Sequence, residues 1–265
     1  MCRSTRSRRF LAGSVSNRVS DALGLVLSLG LIAGAAPAAS QDGTCRQALV
    51  LALDVSGSVD SGEYRLQMDG LAQALTDPQV ARAILAPGAA PIALYVFEWS
   101  GPQFQNLLVD WTLVTDRPTL NGIAGTLRDT RRSPSPPSTA LGTAMAVGGS
   151  ALARGPECWK GTIDISGDGK SNTGPRPQDL DDLAQLEGVT VNALVINTID
   201  SMGAGPGDDD LFSYFENLVI RGPGAFVERA DGFEDYARAM KKKLLREINA
   251  LAVGGLEASE VPDRG

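Results

Sequence analysis

The chain has 265 residues, 43% of them hydrophobic and 21% charged, with a formal net charge of −7 and no histidine. An acidic balance argues against nucleic acid as a partner. The missing imidazole excludes a Ser-His-Asp or Cys-His apparatus and any histidine-ligated zinc.

Residues 1–38 read as a secretory signal peptide. Arg3, Arg6, Arg8, Arg9 and Arg18 make a basic start, Ala22–Ala36 is an apolar run, and Ala36-Pro37-Ala38 is a small-residue cleavage site. The run is 15 residues long, against the roughly 20 that span a bilayer. No later stretch comes closer, so no membrane span is expected after signal removal. Arg8-Arg9-Phe10-Leu11 resembles a twin-arginine signal only in part, and the general secretory route fits better. The expected product is exported, periplasmic or secreted. Five of the 24 basic and one of the 31 acidic side chains lie in the signal, so the remainder carries 19 and 30, a net charge of −11. Its length suits one large α/β domain.

Cys2 leaves with the signal, and Cys45 and Cys158 remain as an even pair in an exported chain, too few for a structural zinc site. Each stands just before an apolar strand. If those strands are parallel neighbours their starts are adjacent and a disulfide is geometrically easy; two buried free thiols are the alternative.

Ala48–Leu53 is apolar without alternation, the pattern of a parallel strand buried on both faces. It ends on Asp54 and turns at once into Ser56, Gly57 and Ser58, which puts a carboxylate and two hydroxyls where open α/β sheets hold their ligands. Oxygen donors of this kind suit Mg²⁺, Mn²⁺ or Ca²⁺. The plainer reading is an Asx turn or a helix N-cap. Gly62–Leu75 has helical spacing, and Gln79–Leu85 adds a further turn or two after Asp77-Pro78. Ile92–Trp99 is a strand; Phe104–Val114 follows after a short turn and so forms an antiparallel edge. Thr119–Arg128 is a helix.

Arg131–Pro137 is a stiff exposed loop without core residues, and it delivers Thr139 to the start of a small-residue helix, Leu141–Arg154. Alone, Thr139 is an ordinary N-cap. The strand Thr162–Ser166 runs into Gly167-Asp168-Gly169-Lys170-Ser171-Asn172, again an aspartate just past a strand with glycines beside it. Gly169-Lys170-Ser171 is no P-loop, because that motif's first glycine would fall on Asp164. Ser56 is no nucleophile elbow, because position 54 is Asp. Asp164 stands either behind the site or as a buried acid paired elsewhere.

Gln178–Leu186 reads as a short helix whose Asp179, Asp181 and Asp182 complement its dipole. Val189–Ile196 is a strand, Asp208–Asn217 a helix with a similar acidic start, and Ala225–Glu228 a short strand. Phe233–Ile248 is amphipathic, with Phe233, Tyr236, Ala237, Met240, Leu244 and Ile248 on one stripe and Lys241, Lys242 and Lys243 toward its C-terminus. Residues 39–253 thus form one domain, a doubly wound, mostly parallel sheet with one antiparallel edge strand, followed by a polar tail at 254–265.

Asp54-x-Ser56-x-Ser58, then Thr139 with Gly142 three residues on, then Asp168-Gly169, in this order, resemble the von Willebrand factor type A (vWA) fold with its metal-ion-dependent adhesion site. The exported length and the Ser-Gly-Asp-Gly form of the third loop resemble, more narrowly, the bacterial DUF1194 family. The resemblance implies a Rossmann-like fold and a divalent cation, Mg²⁺ first, with Mn²⁺ or Ca²⁺ as alternatives. Ser56 and Ser58 would bind it directly, and Thr139, Asp54 and Asp168 directly or through water. It further implies a non-enzymatic module that grips a protein or other acidic ligand through the metal. Many vWA relatives carry Thr directly before the last Asp, where this chain has Gly167. From another class, Asp54-Val55-Ser56-Gly57-Ser58 and Gly167-Asp168-Gly169 also resemble haloacid-dehalogenase-type phosphotransferases, which would make Asp54 a nucleophile. Against that, Ser56 and Asn172 stand where those enzymes carry aspartates.

Overall fold

The computed structural model describes residues 45–197 and 209–254. The expected signal peptide, the tail beyond Gly254, and Asp208 lie outside them. Among these residues six strands form one sheet: β1 (Gln47–Asp54), β2 (Ile92–Trp99), β3 (Gln105–Val114), β4 (Gly161–Gly167), β5 (Thr190–Ile196) and β6 (Val227–Ala230). Their order is β3-β2-β1-β4-β5-β6, and every neighbouring pair is parallel except β2 and β3. β1 is central and buried along its whole length, as an uninterrupted apolar run requires when both faces are covered.

On one face, Leu49, Leu51 and Leu53 of β1 pack against α1 (Ser61–Thr76), α2 (Pro78–Ile84) and α3 (Arg117–Asp129). Tyr236, Met240 and Leu244 of the last helix join the same layer. On the other, Val50 and Ala52 meet α4 (Leu141–Arg154), with Met145, Ile163 and Phe215 beside them. Each fully buried Leu or Phe contributes about 1.5–3 kcal/mol. The small residues of α4 let it lie close to the sheet: a Cβ on Gly148 would stand 3.0 Å from Ile163 Cδ1.

β3 is the antiparallel edge expected from its short turn, with a bulge opposite Leu94 and Val96. There the strand engages its own backbone. The Asp110 carboxylate accepts from the Trp111 N–H at 2.8 Å, and the Thr112 hydroxyl donates to the Asp110 carbonyl at 2.8 Å.

Cys45 and Cys158 are joined in a disulfide with Cα atoms 4.5 Å apart, ahead of the neighbouring parallel strands β1 and β4. The bond spans a sequence separation of 113, and closing a loop of that length stabilises by about 4–5 kcal/mol in the chain-entropy treatment. None of the described helices is long and apolar enough to cross a membrane.

Three expectations need correction. Gln178–Leu186 is two 3₁₀ turns, Pro177–Leu180 and Ala184–Leu186, not one helix; Pro177 opens the first, and only Leu180 and Leu186 among its later apolar residues are fully buried. Of its acids, Asp179 does sit at the start of the first turn, where it accepts from the Arg176 N–H at 3.1 Å and pairs with the Arg176 side chain, and Asp181 pairs with Arg221. The helix expected at Asp208–Asn217 is α5 (Asp209–Tyr214) continued by a π turn at Phe215–Val219, and β6 lies two residues later than expected. In α6 (Tyr236–Gly254) the last of the three lysines, Lys243, turns inward. It is fully buried, 2.6 Å from Asp164 Oδ1 and 2.9 Å from Glu247 Oε1. That resolves Asp164 as a buried acid paired away from the loops at the top of the sheet.

Candidate metal centre

Parallel pairing of β1 with β4 brings their carboxyl ends side by side, Leu53 opposite Ser166, so the loops that follow meet. Asp54 closes β1. Its Oδ1 accepts from the Ser56 N–H at 2.8 Å, an Asx turn, while Oδ2 is buried without a hydrogen-bond partner among the described residues. The hydroxyls of Ser56 and Ser58 stand 3.3 Å apart, Ser58 Oγ donates to Asp168 Oδ1 at 2.7 Å, and Thr139 Oγ1 donates to Ser56 Oγ at 3.2 Å. All five residues singled out in the sequence are therefore brought together, from three separate loops. Asp54, Ser56, Thr139 and Asp168 are at most 5% exposed, and Ser58 is exposed, so the cluster opens to solvent on the Ser58 side.

Neither capping role accounts for these side chains. Asp60, not Asp54, caps α1, accepting from the N–H groups of Gly62 and Glu63. The N-cap of α4 is Ala140, with no side-chain hydrogen bond; the Thr139 hydroxyl points instead to Ser56.

The loops are held by residues that the motif does not contain. Gln67 Nε2 donates to the Asp54 carbonyl at 3.0 Å from α1. Ser135 Oγ donates to the Val55 carbonyl at 2.9 Å, and Arg132 Nη2 donates to the Val55 and Ser56 carbonyls at 3.3 and 3.2 Å. The proline-rich loop is thus a clasp over the first loop and not a free connector. It comes close because position 57 has no side chain: a Cβ there would lie 2.7 Å from Pro137 Cβ. At Gly167, where many vWA relatives have Thr, a Cβ would lie 3.3 Å from Asp54 Oδ2, so the glycine leaves room beside that oxygen.

Burial, and next the charge of Asp168, push the Asp54 carboxyl up to about 8, against the hydrogen bonds from Ser56 that favour its charge. Burial likewise raises Asp168, with the Ser58 hydroxyl pulling the other way. Two buried acids, each with an unpartnered oxygen, gain most from a cation placed between them. Among the described residues no group of three or more His, Cys, Asp or Glu side chains is arranged to hold a metal. A cation here would rest on two carboxylates and three hydroxyls, a hard oxygen set that fits Mg²⁺, Mn²⁺ or Ca²⁺.

Residues 44–252 match the family described as "Protein of unknown function (DUF1194)". A search of curated proteins gave no match. Among solved structures, the chain is similar to the pilus adhesin SpaC from Lactobacillus rhamnosus GG, at a TM-score of 0.56 and 16% identity over 80% of this chain and 31% of that one. It is similar to a von Willebrand factor type A protein from Catenulispora acidiphila, at 0.51 and 16% over 77% and 43%. It also resembles proximal thread matrix protein 1 from the mussel byssus, at 0.51 and 16% over 79% and 49%. The chain spans less than half the length of each. These likenesses concern the fold. On the match over residues 44–252 and that fold, the chain belongs to the DUF1194 family and is built as a vWA-type domain.

Proposed function

We propose that this protein is an exported, non-enzymatic binding module that grips an acidic group of a protein partner through a divalent cation. Asp54, Ser56, Ser58, Thr139 and Asp168 hold the ion, Mg²⁺ first and Mn²⁺ or Ca²⁺ as alternatives. The observation that carries the reading is the convergence of these five oxygen donors, two of them buried carboxylates with an oxygen unpartnered. Three of the five donors are neutral hydroxyls, so the residues neutralise the ion only in part and an acidic side chain from a partner completes its charge. The exposed Ser58 side is where that side chain enters. The likeness to a protein described as a pilus adhesin supports partner binding, and the Cys45–Cys158 disulfide supports export to an oxidising compartment. A phosphotransferase reading gains nothing from the geometry, since Asn172 is engaged with the Thr139 backbone and Ser56 with neighbouring hydroxyls.

The test is calorimetric titration of Mg²⁺ and Mn²⁺ into the protein beside Thr139→Ala and Asp54→Ala variants. Both variants fold and lose most of the affinity if one site draws on all three loops. Full affinity in Thr139→Ala points back to a phosphotransferase-like site on Asp54 and Asp168.

A further inference from the structure

Thr139 contributes its hydroxyl to the cluster from a loop that has no regular structure of its own. Its peptide is nevertheless fixed on both sides by a single residue. The Thr139 N–H donates to Asn172 Oδ1 at 2.9 Å, and the Asn172 N–H donates to the Thr139 carbonyl at 2.9 Å. A side-chain amide and a backbone N–H together form a two-bond clamp of the kind two strands make, across 33 residues of sequence. Ser171 Oγ adds a longer contact to the same carbonyl at 3.4 Å. The following residue, Ala140, is anchored separately through its N–H to the Ser100 carbonyl at 2.8 Å.

Asn172 belongs to the loop that begins with Asp168, so the clamp ties the loop carrying one proposed ligand to the loop carrying another. We infer that Asn172 is the positioning residue of the metal centre: it sets the Thr139 hydroxyl against Ser56 without itself touching the ion. The inference rests on the metal-binding reading. It explains a residue that the D-x-S-x-S, Thr and Asp pattern does not include, and it assigns the third loop a second task beyond supplying Asp168. The role uses only the acceptor oxygen of the side chain. An aspartate at 172 keeps that acceptor, whereas alanine removes it. Because Asn172 is exposed, neither substitution disturbs the core.

The experiment compares wild type, Asn172→Ala and Asn172→Asp in the full chain by Mn²⁺ and Mg²⁺ titration and by amide hydrogen exchange at Thr139 without metal. Orienting contacts behind metal ligands typically account for about 10–100-fold in affinity. The expected result is a loss in that range for Asn172→Ala, rescue in Asn172→Asp, and exchange at the Thr139 amide that is fast in the first and slow in the second. Equal affinity and equal protection in all three proteins overturn the inference while leaving the metal site intact. Loss in Asn172→Ala without rescue by Asn172→Asp also overturns it, because the acceptor is then not what matters. If wild type binds no divalent ion the metal reading fails, and the inferred role in a metal centre fails with it; slow exchange at Thr139 that Asn172→Ala abolishes then identifies the clamp as a purely structural device.

Discussion

Removing the Lys243 ammonium is the sharpest available perturbation of the fold. Its Nζ lies 2.6 Å from Asp164 Oδ1 and 2.9 Å from Glu247 Oε1, all three side chains fully buried. At an effective dielectric of about 20, each attraction is about 6 kcal/mol, offset by desolvation of several kcal/mol per ion. Lys243→Met leaves two buried carboxyl groups facing each other without a cation, and the expected loss is about 3–5 kcal/mol, a large part of a typical domain's stability. A triple variant, Lys243→Met with Asp164→Asn and Glu247→Gln, has no buried charge left and should recover most of that loss. Glutamine at 247 retains the acceptor used by Asn192 Nδ2. Urea unfolding at pH 7 with the disulfide intact measures both variants. A single variant within about 1 kcal/mol of wild type, or a triple variant no more stable than the single, would refute the reasoning.

The same cluster has a pH signature. Burial pushes the Asp164 carboxyl from 3.8 up to about 7, with Glu247 raising it further and Lys243 opposing. The folded state therefore holds this proton more tightly than the unfolded chain, and the stability this group contributes falls as pH rises from about 4 through about 7. In Lys243→Met the opposing charge is gone, so the fall should continue to more alkaline pH. Urea midpoints at several pH values read this directly, and identical profiles for the two proteins would contradict it.

Three further outcomes are expected. Replacing Cys45 and Cys158 together by Ala should destabilise by about 2–5 kcal/mol and leave divalent affinity nearly unchanged, because the bond sits at the opposite ends of β1 and β4 from the loops; chemical unfolding and titration of one preparation check both parts. Gly57→Ala forces a contact of 2.7 Å with Pro137 Cβ, so it should shift the Thr139 loop and weaken Mn²⁺ binding about tenfold or more, which titration against wild type decides. Asp60→Ala removes the cap of α1 and should cost about 1 kcal/mol in thermal or urea unfolding with metal affinity retained; a loss of affinity instead would place Asp60 in the centre.

The parts of this structure that are legible in the sequence are the local ones. The unbroken apolar run of β1, the Ser-Gly turns, and the close spacing of Asp54, Ser56 and Ser58 express themselves within a few residues, and the strand after Cys158 does the same. Arg132, Gln67 and Asn172 carry no such mark. Arg132 reaches Ser56 over 76 residues of sequence and Asn172 reaches Thr139 over 33, so only the folded chain reveals them. Lys243 is an intermediate case. Helical spacing from Tyr236 and Met240 runs through positions 243, 244 and 247, so the buried face takes in Lys243 and Glu247 beside the apolar stripe. The short 3₁₀ and π turns are not legible because acidic runs and isolated apolar residues resemble helix starts when burial is unknown.

The bulge in β3 has a consequence for how copies of this protein behave when crowded. An edge strand ordinarily offers unoccupied N–H and C=O groups along which a foreign strand can lay itself. Midway along this edge the Trp111 N–H is held by the Asp110 carboxylate and the Asp110 carbonyl by the Thr112 hydroxyl. An incoming strand would have to break both bonds and bring its backbone against a negative charge. The β3 edge is therefore blunted at its bulge by its own chemistry, and this side of the sheet resists the side-by-side growth that turns soluble sheets into fibres.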